Sequence, residues 1–186
     1  MLFILPTNTC FWIGCDIDDI ESYKNIYKIK WRDFSKPMAI FIDDIRRFKY
    51  ISNLTKEQID FLKNYEKPWT VLIDKKDIKD KKILEAIDNL PNKEQYKKIA
   101  FRVAHTFMQR IFIYKRNYFF LTSANKSWQW ELIESKKVKE IFKDDIEKYK
   151  IRYFAHDDYI INSRQKFSDI FEFSWKTTKI HYLRKW

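Results

Sequence analysis

Apolar positions along this chain recur with two periods, and the alternation between them sets out the fold. Residues 2–5 are a continuous apolar run that stops at the polar turn Pro6-Thr7-Asn8-Thr9, which predicts a buried strand. Residues 16–28 carry Ile17, Ile20, Tyr23, Ile26 and Tyr27 at helical spacing behind an acidic first turn, and a charged loop over 30–37 follows. A short apolar run over 38–42 predicts a central strand. An amphipathic helix over 55–65 opens on Thr55, a strand occupies 70–73, and a helix over 79–90 is halted by Pro91. Further on the pattern predicts strand 99–103, helix 106–114, strand 118–121 and a polar loop over 122–128. One or two lysine-rich helices over 131–149 and strands 151–155 and 179–183 complete the chain. Strands alternating with helices predict the α/β class, as one domain with a mixed, twisted sheet flanked by helices.

Composition narrows the class further. A chain of 186 residues with 45% hydrophobic and 18% aromatic side chains is not disordered, and its 34% charge and mean hydropathy of -0.57 are unlike a membrane bundle. The apolar start has no basic segment ahead of it and ends at Pro6, so it predicts a strand in a cytoplasmic protein rather than a signal peptide. Net charge is +11, carried by 28 Lys and only 9 Arg. Such a balance suits an anionic partner, a nucleotide or RNA, and equally a solvated lysine-rich surface. Cys10 and Cys15 have no second pair, and His105, His156 and His181 are scattered, so no zinc spacing exists. The chain holds one glycine, Gly14, against seven tryptophans, where average usage predicts about thirteen glycines.

Three polar loops follow or precede strands: 6–9, 30–36 and 122–127. Ligands of open α/β sheets bind where strand ends bring such loops together. Lys30, Arg32 and Lys36 suit a polyphosphate, with Arg forking two oxygens, and they also suit a basic loop after a helix C-terminus. Ser123-Ala124-Asn125 could bind a phosphate or ribose or cap a turn, and Thr7 and Thr9 could line a pocket or satisfy turn backbone. No Walker loop, dinucleotide fingerprint, nucleophile elbow or paired-histidine metal motif is present. The acidic pairs Asp18-Asp19, Asp43-Asp44, Asp144-Asp145 and Asp157-Asp158 fit helix starts and surfaces, with a nucleotide-bound magnesium as the other reading.

Taken in order, these loops resemble the YrdC-like family of threonylcarbamoyl-adenylate synthases. Residues 6–16 resemble the family's PT(D/E)TxYGLGCD, residues 30–39 its KGRPxxKPLA, Arg102-Val103 its RVP strand, and residues 122–128 its TSANxSG. Thr177-Thr178 and the closing Leu183-Arg184-Lys185-Trp186 weakly echo STIVD and LRxG. The resemblance implies a YrdC-like domain over 1–186 that uses ATP, with Mg2+, L-threonine and bicarbonate to make threonylcarbamoyl-AMP and pyrophosphate. The product would pass to a transferase that modifies tRNA. By matched position Lys30 and Arg32 would be catalytic and hold the triphosphate, with Ser123, Asn125 and Thr177 on the nucleotide and Thr7, Thr9, Phe11 and Arg102 on threonine; no protein-held metal and no membrane are implied. Phe11, Asp33, Ala104 and Asn8 depart from the pattern. A noncatalytic tRNA or double-stranded RNA-binding module and a carbamoyl-transfer domain are the alternative readings.

In this alignment Trp12, Trp31, Trp128 and Trp186 fall on family glycines, as does Trp175, with Trp69 and Trp130 less diagnostic. The expectation is that these are UGA codons of a lineage that reads UGA as glycine, written here as tryptophan.

Overall fold

A computed structural model describes residues 1–105, 118–161 and 167–185. Nine described strands form one mixed sheet: β1 (Leu2–Pro6), β2 (Phe11–Asp16), β3 (Ala39–Ile42), β4 (Trp69–Asp74), β5 (Lys98–Val103), β6 (Phe119–Ser123), β7 (Arg152–Tyr153), β8 (Asp169–Phe173) and β9 (Ile180–Arg184). Their order across the sheet is β7-β1-β2-β6-β3-β5-β4-β8-β9. The β1/β7, β3/β5 and β4/β8 pairs are parallel and the remaining pairs antiparallel. The mixed sheet is as the sequence predicts. Strands β2 and β8 go beyond the sequence pattern, in which 11–16 reads as part of a motif loop and 169–173 carries no predicted element. The predicted helix over 106–114 lies outside the described residues.

Strand alternation divides the side chains between two faces. Leu2 and Ile4, Phe11, Ile13 and Cys15, and Phe120 face a large core that includes Tyr23, Ile26 and Leu62 of the helices. Phe3, Leu5, Phe119 and Leu121 face the other way into a small cluster with Phe41 and Ala104, to which none of the described helices contributes. Gly14 belongs to this second face, and a Cβ there would come 2.4 Å from Leu121 Cδ2 and 2.5 Å from the Phe120 carbonyl oxygen. The close approach of β6 is why a glycine stands at this position.

The helices follow their sequence signals. Helix α1 (Ile20–Lys30) is capped by Asp19, whose carboxylate accepts the Ser22 amide at 2.9 Å. A four-residue turn of helix, α2 (Phe48–Ile51), precedes α3 (Lys56–Asn64), which starts with a capping box of Thr55 and Gln58. α4 (Lys81–Asp88) and two short helices, Ser135–Ile141 and Lys143–Lys148, complete the described α-helices, and Ile45–Arg47, Lys75–Asp77 and Lys93–Gln95 are single 3-10 turns. No described helix is long and apolar enough to cross a membrane.

Candidate functional site

The face opposite the helices carries a cavity of about 440 Å³. Its floor is the run of alternate side chains Trp12, Leu121, Ala39, Ala100, Thr70 and Ile170, one from each of six adjacent strands. Small residues at 39, 70 and 100 leave room where the neighbouring cluster has phenylalanines. The walls come from the three loops singled out in the sequence and the residues beside them, through Thr9 and Cys10, residues 30–33, 36 and 37, and Ser123, Asn125, Ser127 and Trp128.

Lys30 is the last residue of α1 and is only 2% exposed. Its Nζ donates to the backbone oxygens of Ser123 and Asn125, the latter at 2.5 Å, and to Asn125 Oδ1 at 3.2 Å. All these acceptors are neutral. Burial, and then the nearby Arg32 charge, pull its pKa down to about 7. Arg32 lies two residues on, beyond a left-handed turn at Trp31, with Nε on the Lys36 carbonyl at 2.9 Å and Nη2 on that of Pro37 at 3.2 Å. Ser123 donates its hydroxyl to Asn125 Oδ1 at 2.6 Å, and Asn125 Nδ2 in turn holds the Gln129 carbonyl at 2.6 Å. Four cations (Lys30, Arg32, Lys36 and Arg184) line the cavity against two carboxylates, Asp33 and Glu131. An anion is therefore the favoured occupant.

Of the residues matched by sequence, Lys30, Arg32, Ser123, Asn125 and Thr9 line this cavity and the other four do not. Thr7 accepts the Thr9 and Cys10 amides and donates to the Cys10 carbonyl, so it holds the loop together. Phe11 is fully buried on the helix side, between the rings of Tyr153 and Tyr159, because strand alternation sends Trp12 and not Phe11 to the cavity. Thr177 lies in the β8–β9 turn, where its carbonyl accepts Gln58 Nε2 at 2.8 Å and its hydroxyl donates to the Ser174 carbonyl, outside the cavity lining. Arg102 is on the cavity face but buried beneath Trp12, its guanidinium 4.9 Å from the indole centroid and its Nη2 on Asn8 Oδ1 at 2.8 Å. Burial depresses its pKa to about 10.

Sequence reasoning did not assign Thr70, Glu131, Ser168 and Arg184, which also line the cavity. Arg184 Nε and Nη2 reach the Ser168 carbonyl at 3.1 and 3.0 Å, and the Ser168 and Thr70 hydroxyls are 2.9 Å apart. Arg184 stands within the weak LRxG echo, the one signal that could have found it. Cys10 and Cys15 are free and buried, with burial raising the Cys10 pKa to about 11 and that of Cys15 well above the thiol norm. Seven of the eight acids in these pairs have structural partners: Asp19 caps α1 and Asp44 the 3-10 turn Ile45–Arg47, while Asp18, Asp43, Asp145, Asp157 and Asp158 pair with lysines or arginine. Among the described residues no group of three or more His, Cys, Asp or Glu side chains could hold a metal ion.

Comparison with known proteins gives this geometry a lineage. The family model described as Telomere recombination (Sua5/YciO/YrdC) matches residues 1–184. A Methanocaldococcus jannaschii protein, named provisionally as a threonylcarbamoyl-AMP synthase, is 31% identical over 78 residues, 40% of this chain and 37% of that protein. P. abyssi Sua5 in complex with L-threonine superposes with a TM-score of 0.72 at 19% identity, over 98% of this chain and 49% of Sua5. E. coli YciO superposes at 0.71 with 16% identity, over 99% and 82% of the two chains. A phosphate- and nucleotide-bound full-length HypF gives 0.71 at 16% identity, over 98% of this chain and 26% of HypF. The chain thus spans about half the length of Sua5 and little more than a third of the curated relative. Its fold, its motif order and the match over residues 1–184 all agree: the chain belongs to the Sua5/YciO/YrdC family.

Proposed function

We propose that this protein is an L-threonylcarbamoyladenylate synthase, making threonylcarbamoyl-AMP and pyrophosphate from L-threonine, bicarbonate and ATP for threonylcarbamoyladenosine formation in tRNA. The observation that carries the reading is the convergence of Lys30 and Arg32 with the Ser123–Asn125 loop on one cationic cavity, in a chain of this family. The threonine complex of Sua5 and the name of the M. jannaschii relative support the substrate class.

In this reading bicarbonate gives up hydroxide to form carbon dioxide, the neutral threonine amine adds to its carbon as a C=O π pair moves onto oxygen, and the proton the nitrogen loses combines with that hydroxide as water, leaving a carbamate. A carbamate oxygen then attacks the α-phosphorus, a new P–O bond forms, and the bond to the bridging oxygen breaks as pyrophosphate leaves with its electron pair. No side chain becomes covalently attached. Lys30 and Arg32 offset the charge that builds on the phosphoryl oxygens, and the rate comes from holding the carbamate in line with that phosphorus. Asp33 and Glu131 are too few to cage a metal, which fits Mg2+ arriving as the counter-ion of the triphosphate, held mainly by phosphate oxygens and water.

The test is pyrophosphate release from ATP. Release that requires both L-threonine and bicarbonate supports the synthase. RNA binding without such release would replace it by the binding-module reading.

A further inference from the structure

Four non-glycine residues among those described have positive φ, and three are tryptophans: Trp31 at 52°, Trp128 at 72° and Trp175 at 40°. The fourth is Lys150. Only a few per cent of non-glycine residues take positive φ, and for a bulky side chain it is an outlier.

Each of the three stands where a backbone motif calls for glycine. Trp31 follows the end of α1, where the Arg32 amide reaches back to the Tyr27 carbonyl at 2.9 Å and the Trp31 amide to that of Lys28 at 3.2 Å. That pair of bonds is the Schellman motif, whose left-handed residue is usually glycine. Trp128 is the third residue of a turn closed by the Gln129 amide on the Lys126 carbonyl at 3.1 Å, the position at which a type II turn needs positive φ. Trp175 is the first central residue of the 174–177 turn in the β8–β9 hairpin, closed by the Thr177 amide on the Ser174 carbonyl at 3.3 Å. Primed hairpin turns take positive φ there and favour glycine.

The side chains make little of these positions. Trp31, Trp128 and Trp175 are 72%, 96% and 75% exposed. Each has a lysine ammonium over its ring, Lys126 at 5.3 Å, Lys36 at 5.6 Å and Lys176 at 5.6 Å from the centroid. By contrast Trp69 is 4% exposed and packs against Phe48, as a core tryptophan does. Trp12 differs again. Its Nε1 and Arg102 Nη1 are the buried side-chain polar atoms without a hydrogen-bond partner among the described residues, and both belong to the single Trp12–Arg102 contact. An indole at 12 covers the guanidinium on the cavity side and leaves two buried donors, its own Nε1 and Arg102 Nη1, without a partner.

We propose that the native protein carries glycine at positions 31, 128, 175 and 12, and that these tryptophans record a UGA codon read as tryptophan where the cell inserts glycine. The conformational argument is independent of the proposed activity. For the site, glycine at 12 exposes Arg102 to the cavity, and glycine at 128 frees Lys36 from its ring contact. Both changes add cationic surface for a carboxylate or phosphate.

Peptide mass mapping of the protein isolated from its own cells, with sequencing of its codons, decides the matter. The expected result is glycine, encoded by UGA, at 12, 31, 128 and 175, while Trp69 remains tryptophan. Tryptophan, or the codon UGG, at any of those four overturns the proposal. A recombinant arm reads the conformational argument separately: Trp31→Gly, Trp128→Gly and Trp175→Gly each raise Tm by roughly 2–4 °C. Trp69→Gly lowers it. A fall in Tm for the three exposed substitutions overturns the proposal as well.

Discussion

Binding of the nucleotide should be proton-linked through Lys30, and the size of the linkage follows from its surroundings. In the free protein its pKa lies at about 7, held down by burial and by Arg32. Its hydrogen-bond partners are two backbone oxygens and an amide oxygen, none of them charged. A triphosphate brings formal negative charge to the amine and raises that pKa toward or above the ordinary lysine value near 10.4. The sign is then fixed: affinity is full below pH 7 and falls as pH rises between the free and the bound pKa. At pH 8 about one-tenth of the free amine is charged, so binding takes up about 0.9 proton, and log K falls by close to one per pH unit over that range. The terminal phosphate of ATP, with a pKa near 6, is ionised throughout and contributes little. Titration calorimetry at pH 8 in two buffers of different ionisation enthalpy measures the uptake directly. Lys30→Met should bind weakly and without uptake. Binding of ATP with no proton uptake, or with the same uptake in Lys30→Met, would refute the reasoning.

Other outcomes follow from individual contacts. Arg32→Ala removes a charge-assisted contact worth about 1.5–3 kcal/mol, so the KM for ATP should rise roughly 10- to 100-fold, and Arg32→Lys should recover only part because the two-pronged geometry is lost. Gly14→Ala drives a methyl to within 2.4 Å of Leu121 and 2.5 Å of a backbone oxygen, and chemical denaturation should show a loss of about 1–3 kcal/mol or more. Tyr27→Phe strips the hydroxyl that donates to the Lys36 carbonyl at 2.9 Å and accepts from Asn92 at 3.2 Å; a cost of about 1–3 kcal/mol in stability should accompany a higher KM for ATP. Cys10 and Cys15 should resist iodoacetamide at pH 8 in the folded protein and react only on unfolding, since burial keeps both thiols protonated.

How much of this was legible beforehand depended on whether the deciding interactions were local. Helices α1, α3 and α4 were legible through the period of their apolar faces, and α3 also through its cap at Thr55, whereas the caps at Asp19 and Asp80, which start α1 and α4 later than their apolar patterns do, were not singled out. The cavity walls were legible because hydroxyls, amides and cations cluster in loops at strand ends. Strand β2 was missed although Phe11, Ile13 and Cys15 alternate cleanly, because the same stretch reads as a motif. That error also misplaced Phe11, whose parity in β2 takes it to the helix face. Arg184, Ser168 and Thr70 come together only through the β4/β8 and β8/β9 pairings, which are long-range and leave no trace in a local window. Thr177 was drawn toward the nucleotide by a faint motif, while the hairpin turn holds it against Gln58.

The site is stiff before any ligand arrives, because each loop is held by another's backbone. The Ser127 amide donates to the Lys30 carbonyl at 2.8 Å, the Ala124 amide to that of Phe11 at 2.7 Å, and Lys126 Nζ to that of Ile29 at 2.7 Å. Lys126 also pairs with Asp145 at 2.5 Å, so its charge is matched inside the protein. Lys30 receives only neutral oxygens. The two buried lysines of the same loop cluster are thus set to different tasks: one fastens α1 to the loop, and the other has no carboxylate in contact with its ammonium. A buried cation without a contacting counter-charge is costly to maintain and most responsive to an incoming anion. Removing the partner of Lys126 and removing Lys30 should therefore have opposite signatures, with Asp145→Asn lowering stability while nucleotide affinity stays near that of the parent, and Lys30→Met lowering affinity far more than stability.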